Sequence, residues 1–180
     1  KIWGATENDE LEVLERVDPT VYAFQHDFAD GLERFEQLTE GDSALFQATE
    51  RNGVGYIQAS GHNPPKTGST ILVSPAIDLA DGDYSLRMSQ TRNFYAASAQ
   101  EKKFIQVMIG IDNEDLNAIE WTELNFERVP PGDSWDLVES EWLALNLKDQ
   151  KIRIGFRYES NEATGEFPNW AIYTMDIREE

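Results

Sequence analysis

The side chains best suited to holding a ligand fall in the stretches of this sequence that read as loops. Phe94 and Tyr95 follow Arg92-Asn93, Trp135 stands in Pro-Gly-Asp-Ser-Trp-Asp, and Phe167 follows Gly165-Glu166. An aromatic face beside amides or carboxylates can stack on a sugar ring and hydrogen-bond its hydroxyls, although the same rings would also fill a core. His62 and Asn63, in Gly-His-Asn-Pro-Pro, sit in a loop with ligand-contacting potential. The ligand-binding candidates are therefore Phe94, Tyr95, Trp135, His62 and Asn63, and the expected ligand is carbohydrate or protein.

Catalytic chemistry is harder to assemble. His26 and His62 are the only histidines, and no Gly-x-Ser-x-Gly elbow accompanies them. His26 lies beside Asp27 in an alternating stretch, where sheet neighbours would hold it. Glu139 and Glu141 have the i, i+2 spacing of a glycosidase pair, but among 34 acidic residues such a pair needs no function. No catalytic residue is assigned, and the chain reads as a non-enzyme.

Calcium takes six to eight oxygen ligands. Asp27, Asp30, Glu40 and Asp42 cluster in the early part of the chain, and Asp176 in the last strand could approach them, so these five are the candidate ligands of a structural ion. Asp112-Asn113-Glu114-Asp115 with Glu123 imitates an EF-hand loop, but Leu116 and Asn117 stand where that loop needs a ligand and a glycine. The chain has no cysteine, so neither disulfides nor thiolate sites contribute.

A formal net charge of -19 repels nucleic acid and anionic membranes. The same surplus of carboxylates serves as a solubility device in an extracellular setting. No apolar run approaches the roughly 18 residues that would span a bilayer. The start at Lys1 without a charged-then-apolar leader fits a processed export product or a trimmed fragment.

The elements that must position the candidates are mostly strands. Thr6 to Val17 is the one helix expected, with Thr6 as N-cap, acids in the first turn, and Leu11, Leu14 and Val17 three apart. Residues 1–20 form an appendage and 21–180 one domain. Strands are expected at Val21–Phe28, Ala44–Thr49, Val54–Ser60, Thr70–Val73, Tyr84–Thr91, Phe104–Ile111, Trp121–Phe126, Glu141–Leu147, Lys151–Tyr158 and Trp170–Ile177. Phe104–Ile111 reads as a central strand, and Lys151–Tyr158 as one with a core face and a basic solvent face. About ten strands separated by Gly, Pro, Asn and Asp turns give an all-β jelly-roll-type sandwich of two antiparallel sheets with a short N-terminal helix.

Thr70-Ile71-Leu72-Val73-Ser74-Pro75-Ala76-Ile77-Asp78-Leu79 resembles a signature of the choice-of-anchor J and cleaved-adhesin group of secreted jelly-roll domains. Phe24–Phe28, Tyr84-Ser85-Leu86, Phe104–Asp112, Glu120–Leu124, Ile152–Tyr158 and Asn169–Ile172 look like that group's successive strands, so the likeness spans Val21 to Ile177. It implies a bacterial extracellular or cell-surface module that binds carbohydrate or protein, or that serves assembly, spacing or oligomerisation. Ile71 stands where the group commonly has Trp. Tyr173-Thr174 stands where many members have Asp-Asp, which weakens the calcium expectation. Pro75 cannot donate to a ladder and must end its strand, and Asp78 is expected to anchor the turn that follows.

Overall fold

The structure, a computed structural model, describes residues 19–180; the helix expected at Thr6–Val17 lies outside them. The chain runs through β1 (Tyr22–Asp27), β2 (Glu36–Asp42), β3 (Gln47–Arg51), β4 (Val54–Ser60), β5 (Thr67–Val73), β6 (Ile77–Leu79) and β7 (Tyr84–Asn93). A short helix α1 (Ala97–Glu101) follows. Then come β8 (Ile105–Ile111), β9 (Thr122–Glu123), β10 (Val138–Glu139), β11 (Leu143–Ala144), β12 (Gln150–Ser160) and β13 (Asn169–Glu179).

Every pairing is antiparallel. One sheet runs β10-β7-β13-β4-β3, with β1 also on β13 and β11 on β7; the other runs β2-β5-β12-β8-β9, with β6 also on β12. The expected two-sheet jelly-roll sandwich is the observed fold. Its core is the inward row of each long strand: Leu86 and Met88 from β7, Trp170, Ile172, Met175 and Ile177 from β13, and Ile152, Ile154 and Phe156 from β12, all fully buried. Burying each such side chain contributes roughly 1.5–3 kcal/mol. The inward residues of β13 change from even to odd numbers because its register against β7 shifts between Ile172 and Thr174. This bulge at Tyr173 lets one strand keep both halves of its apolar row inside.

The Ser-Pro junction behaves as its chemistry requires. β5 ends at Val73, and Ser74, fully buried, accepts the Ile154 N–H with its hydroxyl while its own N–H donates to the Ile154 carbonyl. Asp78 does not anchor the turn; its carboxylate is 81% exposed, 4.0 Å from Lys151.

β8 is an interior strand, as expected, paired with β12 on one side and β9 on the other, and β12 is the middle strand of the sheet, with β5 and β6 on its other edge. One expectation for this sheet needs correction: the outer face of β12 is not an open basic surface. Arg153 is bound to Asp112 at 2.7 Å, and the Trp121 ring packs against Gly110 and Gly155. A Cβ at Gly155 would stand 2.9 Å from Trp121 Cζ3, so glycine there makes room for the ring. The segment between β8 and β9 is thus folded back across the sheet, which position-by-position alternation does not reveal.

Candidate functional site

Ser60, Asn169 and Asn93 end up side by side at one end of the first sheet, because Asn169 pairs with Ser60 of β4 and with Asn93 of β7. Residues just beyond these strand ends rise around them. His62 and Phe167 stand on the β4 side with ring centroids 5.5 Å apart, and Phe94 and Trp135 on the β7 side at 5.7 Å, nearly perpendicular. Between the two aromatic pairs lies a cavity of about 420 Å³ lined by Ser60, His62, Phe94, Trp135, Gly165, Phe167 and Asn169. Phe94 is 67% exposed and Trp135 49%, although both are large apolar side chains.

Asn169 is buried, and among the described residues its Oδ1 has no hydrogen-bond partner. An unpaired buried acceptor costs about 1–3 kcal/mol. Phe94 has φ +53°, the left-handed region, held by the Asn93 Oδ1 bond to its N–H and by the bond from Tyr95 N–H to the Gly132 carbonyl. The turn aims the ring outward.

Two side chains fasten the loops. The Tyr158 hydroxyl, at the inner end of β12, accepts from Gly61 N–H at 2.8 Å and donates to the Pro168 carbonyl at 2.6 Å. One phenol thereby ties the residue before His62 to the residue after Phe167. Burial pushes its pKa up to about 12, against the Gly61 and Ser160 hydrogen bonds. Gly61 packs so close to Ser160 that a Cβ would stand 2.2 Å from Ser160 Oγ. Glu166 fixes the neighbouring turn. Its carboxylate accepts from Lys102, Thr164 and Ser98 at 2.7, 2.6 and 2.8 Å, and these bonds hold its pKa down at about 2.

Of the five ligand-binding candidates, the structure brings together Phe94, Trp135 and His62. Tyr95 is a correction: its ring is buried, and its hydroxyl accepts the Ile105 N–H, so it supports the turn from inside. Asn63 is exposed in the same loop as His62 but does not line the cavity. Ser60 and Asn169 also line the cavity, beyond the residues the sequence points to. A polar residue immediately before the inward Trp170 was the available signal, since strand alternation turns such a residue to the opposite face.

The carboxylate set Asp27, Asp30, Glu40, Asp42 and Asp176 is not assembled. Asp27 and Asp176 are near each other across β1 and β13, where burial raises the Asp176 pKa against the pull of Arg87, with Glu139 and Asp27 adding to the rise. Asp27 also caps the turn that contains Asp30. Glu40 and Asp42 lie on β2 in the other sheet, with Asp42 paired to Lys66 at 3.0 Å. Sheets in a sandwich stand ~10 Å apart, too far for one ion to bridge. Among the described residues no three Asp, Glu or His side chains form a metal-binding group.

The remaining titratable candidates are structural. His26 packs among Phe24, Phe28 and Phe35 and bonds the Gly31 carbonyl. Glu139 pairs with Arg87. Burial raises the Glu141 pKa, but the N–H groups of Glu127 and Arg128 outweigh it and leave the group lowered, as a loop clasp. A larger cleft of about 790 Å³ opens between β8, β9 and residues 143–147; its lining mixes aliphatic side chains with Asp112, Glu120 and Glu123 and with Asn113, Asn125 and Asn146, and has no aromatic ring.

In fold, a sandwich of two antiparallel sheets, the chain is similar to solved β-sandwich domains, among them adhesin domains and carbohydrate-binding modules. In particular, the chain is similar to the K1 cleaved adhesin domain of Lys-gingipain from Porphyromonas gingivalis, at 13% identity over 87% of this chain and 98% of that one, with a TM-score of 0.56. The K3 cleaved adhesin domain of the same protein gives 13% identity, 88% and 99% coverage and a TM-score of 0.57. A structure of carbohydrate-binding modules from the β-sandwich superfamily gives 14% identity and a TM-score of 0.51 over 84% of this chain and 60% of that one. At such identities the likeness establishes the fold. No family model and no curated protein matches the chain.

Proposed function

We propose that this domain is a non-catalytic carbohydrate-binding or adhesion module that works outside the cell, and that the cavity between Phe94–Trp135 and His62–Phe167 is its sugar site. The observation that carries this reading is the pairing of exposed aromatic walls with the unpartnered, buried Asn169 Oδ1. Aromatic faces receive the apolar face of a pyranose, and the Ser60 hydroxyl and Asn169 amide at the floor hydrogen-bond its hydroxyls. The ordered motifs resembling the choice-of-anchor J group, with Ser74-Pro75 at their centre, fit the same role.

Catalysis is not part of the proposal. Glycoside hydrolysis uses two carboxylates across the bond, and no Asp or Glu is among the residues lining the cavity. The test is a glycan array followed by calorimetry on the wild type and Trp135→Ala. The wild type should bind a defined set of glycans, with at least tenfold weaker binding in the variant, equivalent to about 1.4 kcal/mol. An array without signal, or a variant that binds as well as the wild type, would reject the site.

A further inference from the structure

We infer that the cavity takes one sugar without anionic groups at the end or branch tip of a glycan, and turns away uronic, sialic and sulfated sugars. This rests on the carbohydrate reading above and adds the ligand's charge and its mode of entry. The first observation is what the lining lacks. In a chain of formal net charge -19, the seven lining residues include no Asp, Glu, Lys or Arg. An anionic sugar is normally held by Arg or Lys, most specifically by a guanidinium fork. Here the neighbouring cations are committed elsewhere: Lys66 to Asp42 at 3.0 Å and Lys102 to Glu166 at 2.7 Å. Arg92, one residue from Asn93, lies on the inward row with Leu86 and Met88; its Nε bonds Gln90 Oε1 and its guanidinium rests 5.7 Å from the Trp170 ring. An anion would meet the protein's negative field with no local partner to offset it.

Two carboxylates adjoin the cavity lining in sequence, Asp136 beside Trp135 and Glu166 between Gly165 and Phe167, and the oxygens of Glu166 are filled by Lys102, Ser98 and Thr164. The remaining polar inventory is a hydroxyl, an imidazole and an amide, which suits hydroxyl and acetamido groups.

The second observation is the shape. The polar floor, Ser60 and Asn169, lies at the strand ends, and the aromatic pairs stand on both sides of it. A ring entering between the two aromatic pairs meets this floor with its leading edge, the hydroxyl edge opposite its glycosidic link. A volume of about 420 Å³ is also near the lower end of ligand cavities. Terminal residues satisfy this geometry, and units inside a linear chain do not.

The experiment follows Trp135 fluorescence and calorimetry during titration with methyl glycosides of neutral hexoses and N-acetylhexosamines, with their 6-carboxylate counterparts, and with oligosaccharides of increasing length. At least one neutral methyl glycoside should displace the best oligosaccharide completely, and its 6-carboxylate form should bind at least tenfold more weakly. Asn169→Ala, checked for an unchanged fold by its melting curve, should lose at least tenfold toward the neutral ligand. Binding only to oligosaccharides, with no competition from any single capped sugar, would overturn the terminal mode. Equal or tighter binding of the carboxylate would overturn the charge selection. Absence of binding to every sugar would instead remove the carbohydrate reading itself, a distinguishable result.

Discussion

Phe94 carries two opposed roles at one position. Its φ of +53° places a β-carbon in the left-handed region, which costs roughly 1–2 kcal/mol relative to a relaxed backbone. Its ring, 67% exposed, also gains little from burial. A residue that is strained and solvated at once is poorly chosen for stability, and an outlier of this kind is a reason to look for function. Phe94→Gly separates the two roles. Glycine adopts that backbone freely, so the melting temperature should hold or rise by a few degrees, while sugar affinity falls at least tenfold. Phe94→Ala keeps the strain and should lose affinity without the gain in stability. Calorimetry and thermal melting of both variants check this; a Gly variant that melts well below the wild type would show that the ring is a structural element.

At the scale of elements, the loops are held by groups that never touch the cavity. In Tyr158→Phe the Gly61 N–H and the Pro168 carbonyl lose their shared partner, at a cost of about 1–3 kcal/mol. A lower melting temperature and weaker binding should appear together, and unchanged affinity would mean that the loops need no such tie. Glu166 adds a pH dependence. Its folded-state pKa, lowered to about 2, lies below the ordinary carboxylate range, so its contribution to stability is present above that range and is lost as the pH falls toward 2. The melting difference between wild type and Glu166→Gln should therefore be constant above about pH 5 and shrink below it. A difference that persists unchanged at about pH 2 would assign the role to something other than the ionised carboxylate.

These ties also mark the limit of what the residues disclose. Val54–Ser60 is the observed β4 residue for residue, and the alternation in 151–158 identifies the strand that proves central, because half-buried strands write a period of two into the sequence. β2, Glu-Gln-Leu-Thr-Glu-Gly-Asp, writes none. It is an edge strand with no fully buried position, so no inward row marks it in the sequence. The exposed aromatics Phe94 and Trp135 were legible from their turn-rich settings. Tyr158 was not, since its partner Gly61 is 97 positions away and only the closed sandwich brings them together.

For the whole molecule, the question is whether the sheets end in solvent or in another copy. Free strand edges are templates for pairing. The outer edge of one sheet is β2, with Glu36, Glu40 and Asp42; the outer edge of the other is β3, exposed throughout and ending in Glu50-Arg51, together with β1, which pairs only with β13 and ends in Asp27. Their opposite edges are the two-residue strands β9, β10 and β11, too short to template a ladder. Two copies joined along β2 would set carboxylates against carboxylates, and molecules of formal net charge -19 repel beyond contact at low salt, where the Debye length is about 30 Å at 0.01 M. The domain is therefore expected to be monomeric by light scattering at ~0.01 M and to remain so at ~0.15 M salt, where the Debye length is about 8 Å and only short-range pairing would be left to act. A dimer appearing on raising the salt would place the repulsion as the only barrier and revive an assembly role. A dimer already present at low salt would show an interface strong enough to overcome the charge, and the edges would then be its binding surface.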